Sequence, residues 1–173
     1  LYLFMNYYLG YMLVIFLCLC FISRVIEEPS IFKKRAAAFA VSTGLAIALD
    51  GADLLVTALS LKGEKAVSDA DFSLYGRFFL PGIFAKFYSG TDRNDQQPLI
   101  YCSLAAVIFM IMFFASRRYT MREKTAVIFM AASLVLSMYV NTIDAVWHGF
   151  NNPVGFPYRY AYFLSLTVIT AGY

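Results

Sequence analysis

Long apolar runs constrain this chain more than any other feature of its sequence. Four of them approach the roughly 20 residues that carry an α-helix across a hydrocarbon layer about 30 Å thick. A fifth run, 160–173, reaches only about 21 Å at about 1.5 Å per residue, so it ends within such a layer. We therefore predict an all-α membrane protein with about five transmembrane helices, the last of them truncated, over residues 1–22, 36–61, 99–115, 125–146 and 160–173.

Composition supports this fold class. Apolar residues make up 61% of the chain and charged residues 14%, whereas soluble domains average about half and about a quarter. The chain starts inside an apolar run, without an initiator Met or a charged segment before it, so Leu1–Ile22 does not resemble a signal peptide. We interpret residues 1–173 as a single transmembrane region and as an internal fragment of a longer polytopic protein.

Lysine and arginine are concentrated in two short connections between the predicted spans. Because cytoplasmic loops are enriched in these residues, we expect both connections on the cytoplasmic side, and residues 62–98 and 147–159 on the outer side. The net charge of +3 is explained by this orientation and gives no reason to predict a nucleic-acid partner. The basic residues are Arg24, Lys33, Lys34 and Arg35 in the first connection, and Arg117, Arg118, Arg122 and Lys124 in the second.

The first outer loop contains apolar residues at helical spacing, interrupted by Pro81–Gly82. This pattern predicts two short amphipathic helices that lie in the outer membrane interface. Such helices could cover a lipid-bound substrate, or they could simply pack at the interface, and the sequence leaves both interpretations open. The spaced residues are Phe72, Tyr75, Phe79, Ile83 and Phe87.

Cysteine and histidine are too few and too scattered for a metal site. Cys18 and Cys20 lie near the inner end of the first predicted span, and Cys102 lies near the outer end of the third. That separation far exceeds the ~6 Å between Cα atoms that a disulfide requires. Three free thiols and one histidine do not supply a zinc ligand set. We predict no disulfide, no metal and no cofactor.

Two aspartates lie in the outer half of the second predicted span. Asp50 and Asp53 are three residues apart and share one face of a helix. An unpaired carboxylate costs about 2.5–3.5 kcal/mol at the centre of a membrane helix and less toward its ends, so such residues normally face a wet cavity or a cation. Under this interpretation both are candidate substrate-binding residues. Alternatively, the span ends at Asp50 or unwinds at Gly51, and the sequence leaves both alternatives open.

The fourth predicted span leads into an unusual stretch at residues 147–163, WHGFNNPVGFPYRYAYF, with the chain's one tryptophan and one histidine. Asp144 and His148 are four residues apart, so they share a helix face and can form a hydrogen bond. The segment 151–155 contains two asparagines, a proline and a glycine and is typical of a turn. Pro157 suits the first turn of the fifth helix, where its missing N–H costs nothing.

Arg159 stands in that same first turn. The positive end of a helix, its free backbone N–H groups and a guanidinium together favour a phosphate, here at the outer membrane surface. The alternative is an arginine whose charged end only reaches the interface, among tyrosines that anchor the helix. That alternative explains Tyr158 and Tyr160 but not the histidine or the prolines.

Three segments resemble a known family. The bacterial YfhO family of polytopic membrane proteins has a signature similar to WHGFNNPVGFPYRYAYFLSL, and its asparagine–tyrosine span resembles MNYYLGYMLVIF. Its Pro-x-x-Tyr-Cys-Gly segment resembles QPLIYCSLAAVIF, with Ser103 in place of the glycine. The three segments follow in the family's order and cover most of the chain. The matching positions are Asn6, Tyr7, Trp147, His148, Gly149, Phe156, Pro157, Tyr158 and Arg159.

The resemblance implies a glycosyltransferase of the GT-C type in the bacterial cytoplasmic membrane. Such an enzyme takes sugar from a polyprenyl-phosphate carrier and transfers it outside the membrane to an envelope polymer, in this family teichoic acid and notably lipoteichoic acid. The family's catalytic acidic residue belongs to an outer loop upstream of Leu1, where it would act as general base. With the aspartates of the second span included, the expected substrate-binding residues are Asn6, Asp50, Asp53, Asp144, His148, Tyr158 and Arg159.

Two other functions compete with this one. A transporter or lipid flippase would carry buried charge near the bilayer midplane and discontinuous helices, whereas the polar residues here cluster toward the outer ends of the predicted spans. A non-catalytic protein of envelope assembly would show the same features as the enzyme in this region. An acidic residue in the upstream outer loop would favour the enzyme.

Overall fold

The computed structural model describes residues 7–49, 51, 82–87, 98, 100, 102–149 and 158–173. The elements in this part of the chain are α-helices, as the apolar runs predict. In chain order they are α1 (Tyr7–Glu27), α2 (Ser30–Leu49), α3 (Gly82–Ala85), α4 (Leu104–Ala115), α5 (Met121–Tyr139), α6 (Asn141–Trp147) and α7 (Ala161–Gly172).

Helix α1 is the described element best suited to cross a membrane. Its segment Leu9–Glu27 has 19 residues and a mean hydropathy of 2.4, and it is the one described helix that is long and apolar enough to span by these two measures. The helix continues past Ile22, where we predicted the span to end, because the next residues include no glycine or proline. Helices α4 and α7 are apolar but shorter, so the count of five spans stays a prediction.

The third predicted span becomes helical later than expected. Pro98, Ile100 and Cys102 are not helical, and α4 starts at Leu104. Ser103 has a φ of 77°, a conformation that favours glycine, and its hydroxyl accepts a hydrogen bond from the Ala105 amide. A residue with positive φ cannot continue a right-handed helix. Within the predicted span 99–115 the described helix is therefore limited to Leu104–Ala115, and the span itself stays a prediction.

The fourth predicted span is two helices. Helix α5 starts in a capping box, in which the Thr120 hydroxyl accepts from the Glu123 amide and the Glu123 carboxylate accepts from the Thr120 amide. It ends at Val140, whose backbone is extended, and α6 begins at Asn141. The residues of the predicted span 125–146 therefore belong to two helices, and the span itself stays a prediction. Valine and asparagine both have lower helix propensity than alanine or leucine, which favours an interruption here.

Helix α1 runs antiparallel to α5 and α6. At one end the Ser23 hydroxyl donates to the Ala126 carbonyl at 3.3 Å, and at the other end the Tyr11 hydroxyl donates to the Val146 carbonyl at 2.8 Å. Helix α7 packs beside them, and apolar side chains of α1, α5 and α7 form one core. Its buried members include Met12, Phe16, Leu134, Met138, Phe163 and Leu164.

Helix α7 also approaches α4 closely. A Cβ atom at Gly172 would lie 2.9 Å from the Phe109 Cβ and 3.2 Å from the Ala106 carbonyl oxygen. Neither distance leaves room for a larger side chain, so the glycine permits this contact. Small residues at close helix contacts are typical of helices that pack within a membrane.

The outward surface of the bundle is strongly apolar. Helix α2 has no buried residue, and several large apolar side chains of α2 and α4 are more than half exposed. Large exposed apolar side chains in this number are unfavourable in water and suit contact with lipid tails. The exposed side chains include Val41, Leu45, Leu49, Leu104, Phe109, Ile111 and Met112.

Both basic connections lie at the same end of the bundle. The hydrogen bond between Ser23 and Ala126 joins the last turns of α1 to the first turns of α5. Lys124 Nζ donates to the carbonyls of Phe114 and Ser116, at 2.8 and 2.7 Å, and keeps the end of α4 there as well. Helix α6 lies at the opposite end. A shared end is what the predicted orientation requires, and the side of the membrane on which it lies stays a prediction.

Candidate functional site

A buried carboxyl and imidazole lie at the end of the bundle opposite the basic connections. Asp144 and His148 are 1% and 2% exposed. His148 Nδ1 lies 2.8 Å from the Asp144 backbone carbonyl and 3.3 Å from Asp144 Oδ1. A carbonyl can only accept, so Nδ1 carries the hydrogen in this contact. The four-residue spacing predicts this pairing, because one helical turn brings the two residues together.

Tyr160 joins this pair, although its place in the sequence predicts only an interface anchor. Its hydroxyl lies 2.7 Å from Asp144 Oδ1 and 2.9 Å from the Ser137 carbonyl, and its side chain is fully buried. One hydroxyl has one proton, so it donates to one of these oxygens at a time, and an ionised carboxylate is the stronger acceptor. The Trp147 indole stacks on the Tyr160 ring with centroids 4.4 Å apart. These contacts hold the start of α7 against α6.

The signal that identifies Tyr160 in the sequence is weak. It is one of 13 tyrosines, and its two oxygen partners lie 16 and 23 residues earlier in the chain. Its position directly after Arg159, in the stretch already singled out, is the only local hint.

Arg159 lies between two buried tyrosines. Tyr158 and Tyr160 are 3% and 0% exposed, whereas Arg159 is exposed. Tyr158 has a φ of 59°, a conformation that persists in residues other than glycine only where the surrounding packing holds it. The two tyrosines therefore fix the backbone on both sides of the arginine and hold Arg159 at the surface of this end.

The start of α7 offers fewer free amides than the sequence predicts. The Ala161 N–H donates to the Tyr158 carbonyl at 2.9 Å, and the Phe163 N–H donates to the Tyr160 carbonyl at 3.0 Å. Both amides belong to the helix end at which we expected a phosphate, and internal bonds of this kind satisfy helix ends without a ligand. The phosphate hypothesis therefore depends more on Arg159 than on the backbone.

Several predicted site residues lie outside the described residues: Asn6, Asp50, Asp53, Phe156 and Pro157. Their roles stay predictions. Of the predicted interfacial helices, the structure describes the single turn α3 and the turn after it. Ile83 in α3 is buried in the core, and Lys86 is 7% exposed, which is unusual for a lysine and was not predicted.

Metal-ligating side chains are not grouped within the part of the chain that the structure describes. Within this part of the chain, no group of three or more His, Cys, Asp or Glu side chains could hold a metal ion. Cys18, Cys20 and Cys102 are free thiols. The site therefore consists of a buried cluster of Asp144, His148 and Tyr160 that fixes the backbone beside an exposed arginine.

Comparison with known proteins supports the resemblance found in the sequence. A family model described as "Bacterial membrane protein YfhO" matches residues 1–173. No curated protein and no solved structure matches the chain. The matched range includes the three segments that resemble this family, and that prediction is confirmed. The chain therefore belongs to the YfhO family of bacterial membrane proteins.

Proposed function

We propose that the protein is part of a glycosyltransferase that moves sugar from a polyprenyl-phosphate donor to an envelope polymer such as lipoteichoic acid, on the outer face of the cytoplasmic membrane. Family membership supports the bacterial membrane setting. The observation that carries the finer proposal is the exposed Arg159 between two buried tyrosines. The catalytic general base belongs, in this proposal, to an outer loop upstream of Leu1.

Arg159 is proposed to bind the phosphate of the donor. A guanidinium can make two parallel hydrogen bonds to phosphate oxygens, and its charge stabilises the negative charge that develops as the sugar leaves. A carrier lipid in the bilayer presents its phosphate at the membrane surface. An exposed arginine at the end of a membrane-embedded bundle can contact the phosphate at this surface.

Asp144, His148 and Tyr158 are proposed to act on the substrate through the position of Arg159. Asp144 and His148 are buried, and their contacts with Tyr160 determine where the chain enters α7. Tyr158, which is also buried, fixes the backbone on the other side of the arginine. We further propose that Asn6, Asp50 and Asp53 bind the substrate from neighbouring parts of the chain.

The test is sugar transfer by the purified full-length protein in liposomes, measured as a function of donor concentration. Lysine offers a point charge in place of the two parallel hydrogen bonds of arginine. Losing one charge-assisted hydrogen bond costs about 1.5–3 kcal/mol, so Arg159→Lys should weaken use of the donor roughly ten- to a hundredfold. Arg159→Ala should weaken it further.

The matched control is Arg118→Lys, which makes the same change at an exposed arginine on the opposite end of the bundle. Its donor dependence should equal that of the wild type. If Arg159→Lys also equals the wild type while both proteins are inserted and folded, Arg159 is only an interface anchor, because lysine reaches the interface as well as arginine.

A lipid flippase is the second candidate, and one observation favours it. The interruption at Val140, followed one turn later by the buried Asp144, resembles the discontinuous helices and buried charges of transporters. Such a protein would move a polyprenyl-phosphate lipid between leaflets without transferring sugar. Two results together would favour this function. The wild type should move a fluorescent polyprenyl phosphate between the leaflets of liposomes without transferring sugar, and Asp144→Asn should lose this movement.

A further inference from the structure

The two basic connections and the helix ends around them form one charged surface, here called the basic face. It consists of residues 24–35 and 116–124, which the bond between Ser23 and Ala126 brings to one end of the bundle. Its carboxylates are Glu27, Glu28 and Glu123. Its cations are Arg24, Lys33, Lys34, Arg35, Arg117, Arg118, Arg122 and Lys124.

The carboxylates of the basic face are already engaged. Glu27 forms an ion pair with Arg24, Glu28 accepts a hydrogen bond from Ser30 at 2.7 Å, and Glu123 accepts one from the Thr120 amide at 2.6 Å. Lys124 donates hydrogen bonds to carbonyls at the end of α4. The other cations are exposed and form no ion pair within the described part of the chain: Lys33, Lys34, Arg35, Arg117, Arg118 and Arg122.

Exposed apolar side chains lie among these cations. Phe32 is 56% exposed and Met121 is 76% exposed. Tyr119 is 36% exposed, and its ring contacts Phe113 with centroids 4.5 Å apart. These side chains are unfavourable in bulk water but can enter the boundary between headgroups and acyl chains, beside the lipid phosphates.

We infer that the basic face binds the phosphate headgroups of anionic phospholipids in the leaflet that it adjoins. Clustered Lys and Arg next to a membrane-crossing segment are attracted to anionic lipids, and the neighbouring apolar side chains favour a lipid over a soluble polyanion. The attraction is between exposed charges, so salt should weaken it. The inference does not depend on the proposed sugar transfer, because Arg159 lies at the opposite end of the bundle.

The test uses the full-length protein in liposomes that mix phosphatidylcholine with phosphatidylglycerol. Spin-labelled forms of the two lipids report which one is immobilised at the protein. The wild type should prefer phosphatidylglycerol. Each cation near an anionic surface strengthens the association by about fivefold, so Arg117→Gln/Arg118→Gln/Arg122→Gln should reduce the preference by at least about that factor.

Three further variants separate charge from fold. Arg117→Lys/Arg118→Lys/Arg122→Lys keeps the charge and should keep the preference, and Lys33→Gln/Lys34→Gln/Arg35→Gln should reduce it independently. Lys62→Gln/Lys65→Gln/Arg93→Gln makes the same change in charge in the first predicted outer loop and should leave the preference intact. Equal immobilisation of both lipids by the wild type, or a full preference in both glutamine variants of the basic face, would overturn the inference. Displacement of the lipid by a short nucleic acid would also overturn it, in favour of a soluble polyanion.

Discussion

The Tyr160 hydroxyl connects the start of α7 to a carboxyl group that is fully inside the bundle. Asp144 Oδ1 lies 2.7 Å from this hydroxyl and 3.3 Å from His148 Nδ1. A buried carboxyl that loses a hydrogen-bond donor is still desolvated, and the free-energy cost of that desolvation is no longer offset. Hydrogen bonds within a buried network also strengthen one another. Removing one hydroxyl should therefore have a larger effect here than at the surface.

We expect Tyr160→Phe to lower the free energy of unfolding by about 1–3 kcal/mol, because it leaves the Asp144 carboxyl short of a donor. Thermal unfolding of the purified protein in detergent measures the loss. The control is Tyr119→Phe, which removes the hydroxyl of a partly exposed tyrosine whose ring contact with Phe113 is retained. Equal thermal midpoints for the two variants would show that the buried Tyr160 hydroxyl stabilises the fold no more than the Tyr119 hydroxyl does.

Ser103 provides a second prediction at this scale, because its backbone has the positive φ that glycine tolerates best. Such strain costs on the order of 1–3 kcal/mol, and glycine is only a few tenths worse than serine as a helix cap. Ser103→Gly should therefore raise the thermal midpoint, whereas Ser103→Ala should lower it by removing the cap and keeping the strain. A stabilising alanine would contradict this account.

Single residues also show how far the sequence alone reaches. The contact between Asp144 and His148 follows from helical spacing, since both partners lie within one turn. The contact of Tyr160 with Asp144 depends on how two helices pack, and no periodicity in the chain encodes that packing. Ser103 is intermediate: its resemblance to a glycine position is visible in the sequence, but its φ is a property of the fold.

At the scale of elements, α7 contacts α4 closely through Gly172. A methyl group at Gly172 would overlap Phe109, while one at Gly44 in α2 would meet nothing within 4 Å. We expect Gly172→Ala to lower the free energy of unfolding by about 1–3 kcal/mol, as overpacking usually does. Gly44→Ala should be neutral or stabilising by roughly 0.5–1 kcal/mol, because alanine is the better helix former. If thermal unfolding showed Gly44→Ala to be less stable than Gly172→Ala, this packing would be refuted.

The start of α5 makes a prediction about pH. Hydrogen bonds from Thr120 hold the pKa of the Glu123 carboxyl below its usual value of 4.5. Because the pKa is lowered in the folded state, the carboxylate stabilises the fold fully above the unfolded pKa and loses this effect as the pH falls through the folded pKa. The difference in thermal midpoint between the wild type and Glu123→Gln should therefore be present at neutral pH and shrink in acid. In a Thr120→Val background the difference should be small throughout.

Helices are easier to predict than their ends. The apolar runs overlap α1, α5 and α7, and a long apolar stretch is what a helix in contact with lipid requires. The starts and stops at Ser103 and Val140 depend on single residues within runs that remain apolar on both sides. Hydropathy averages over such residues and cannot detect them.

At the scale of the whole molecule, the basic connections share one end, and the buried cluster of Asp144, His148 and Tyr160 lies at the other. If the connections face the cytoplasm, a cysteine introduced at Ser116 or Thr120 should react with an impermeant maleimide only after the membrane is opened. A cysteine at Thr91 or Asn151 should react in intact cells. The background is a variant in which Cys18, Cys20 and Cys102 are replaced by serine. The reverse pattern would place every proposed site on the wrong side.

The class of fold was predictable from the sequence, because a chain of this length cannot bury so many apolar side chains in a soluble core and must expose them to lipid. The number of spans was not, since hydropathy alone supports only Leu9–Glu27 among the described helices. Whether α4 and α7 cross the membrane depends on the segments that continue them and on the helices that cover them. Those are properties of the assembled bundle rather than of any one run.

The close approach at Gly172 also has a consequence for biogenesis. Helix α4 leaves the ribosome before α7, and its 12 residues extend only about 18 Å. Until α7 is made, Lys124 can hold the end of α4 against α5, but Phe109 lacks its contact with Gly172. Synthesis of α7 therefore completes the packing of a helix that was translated well before it.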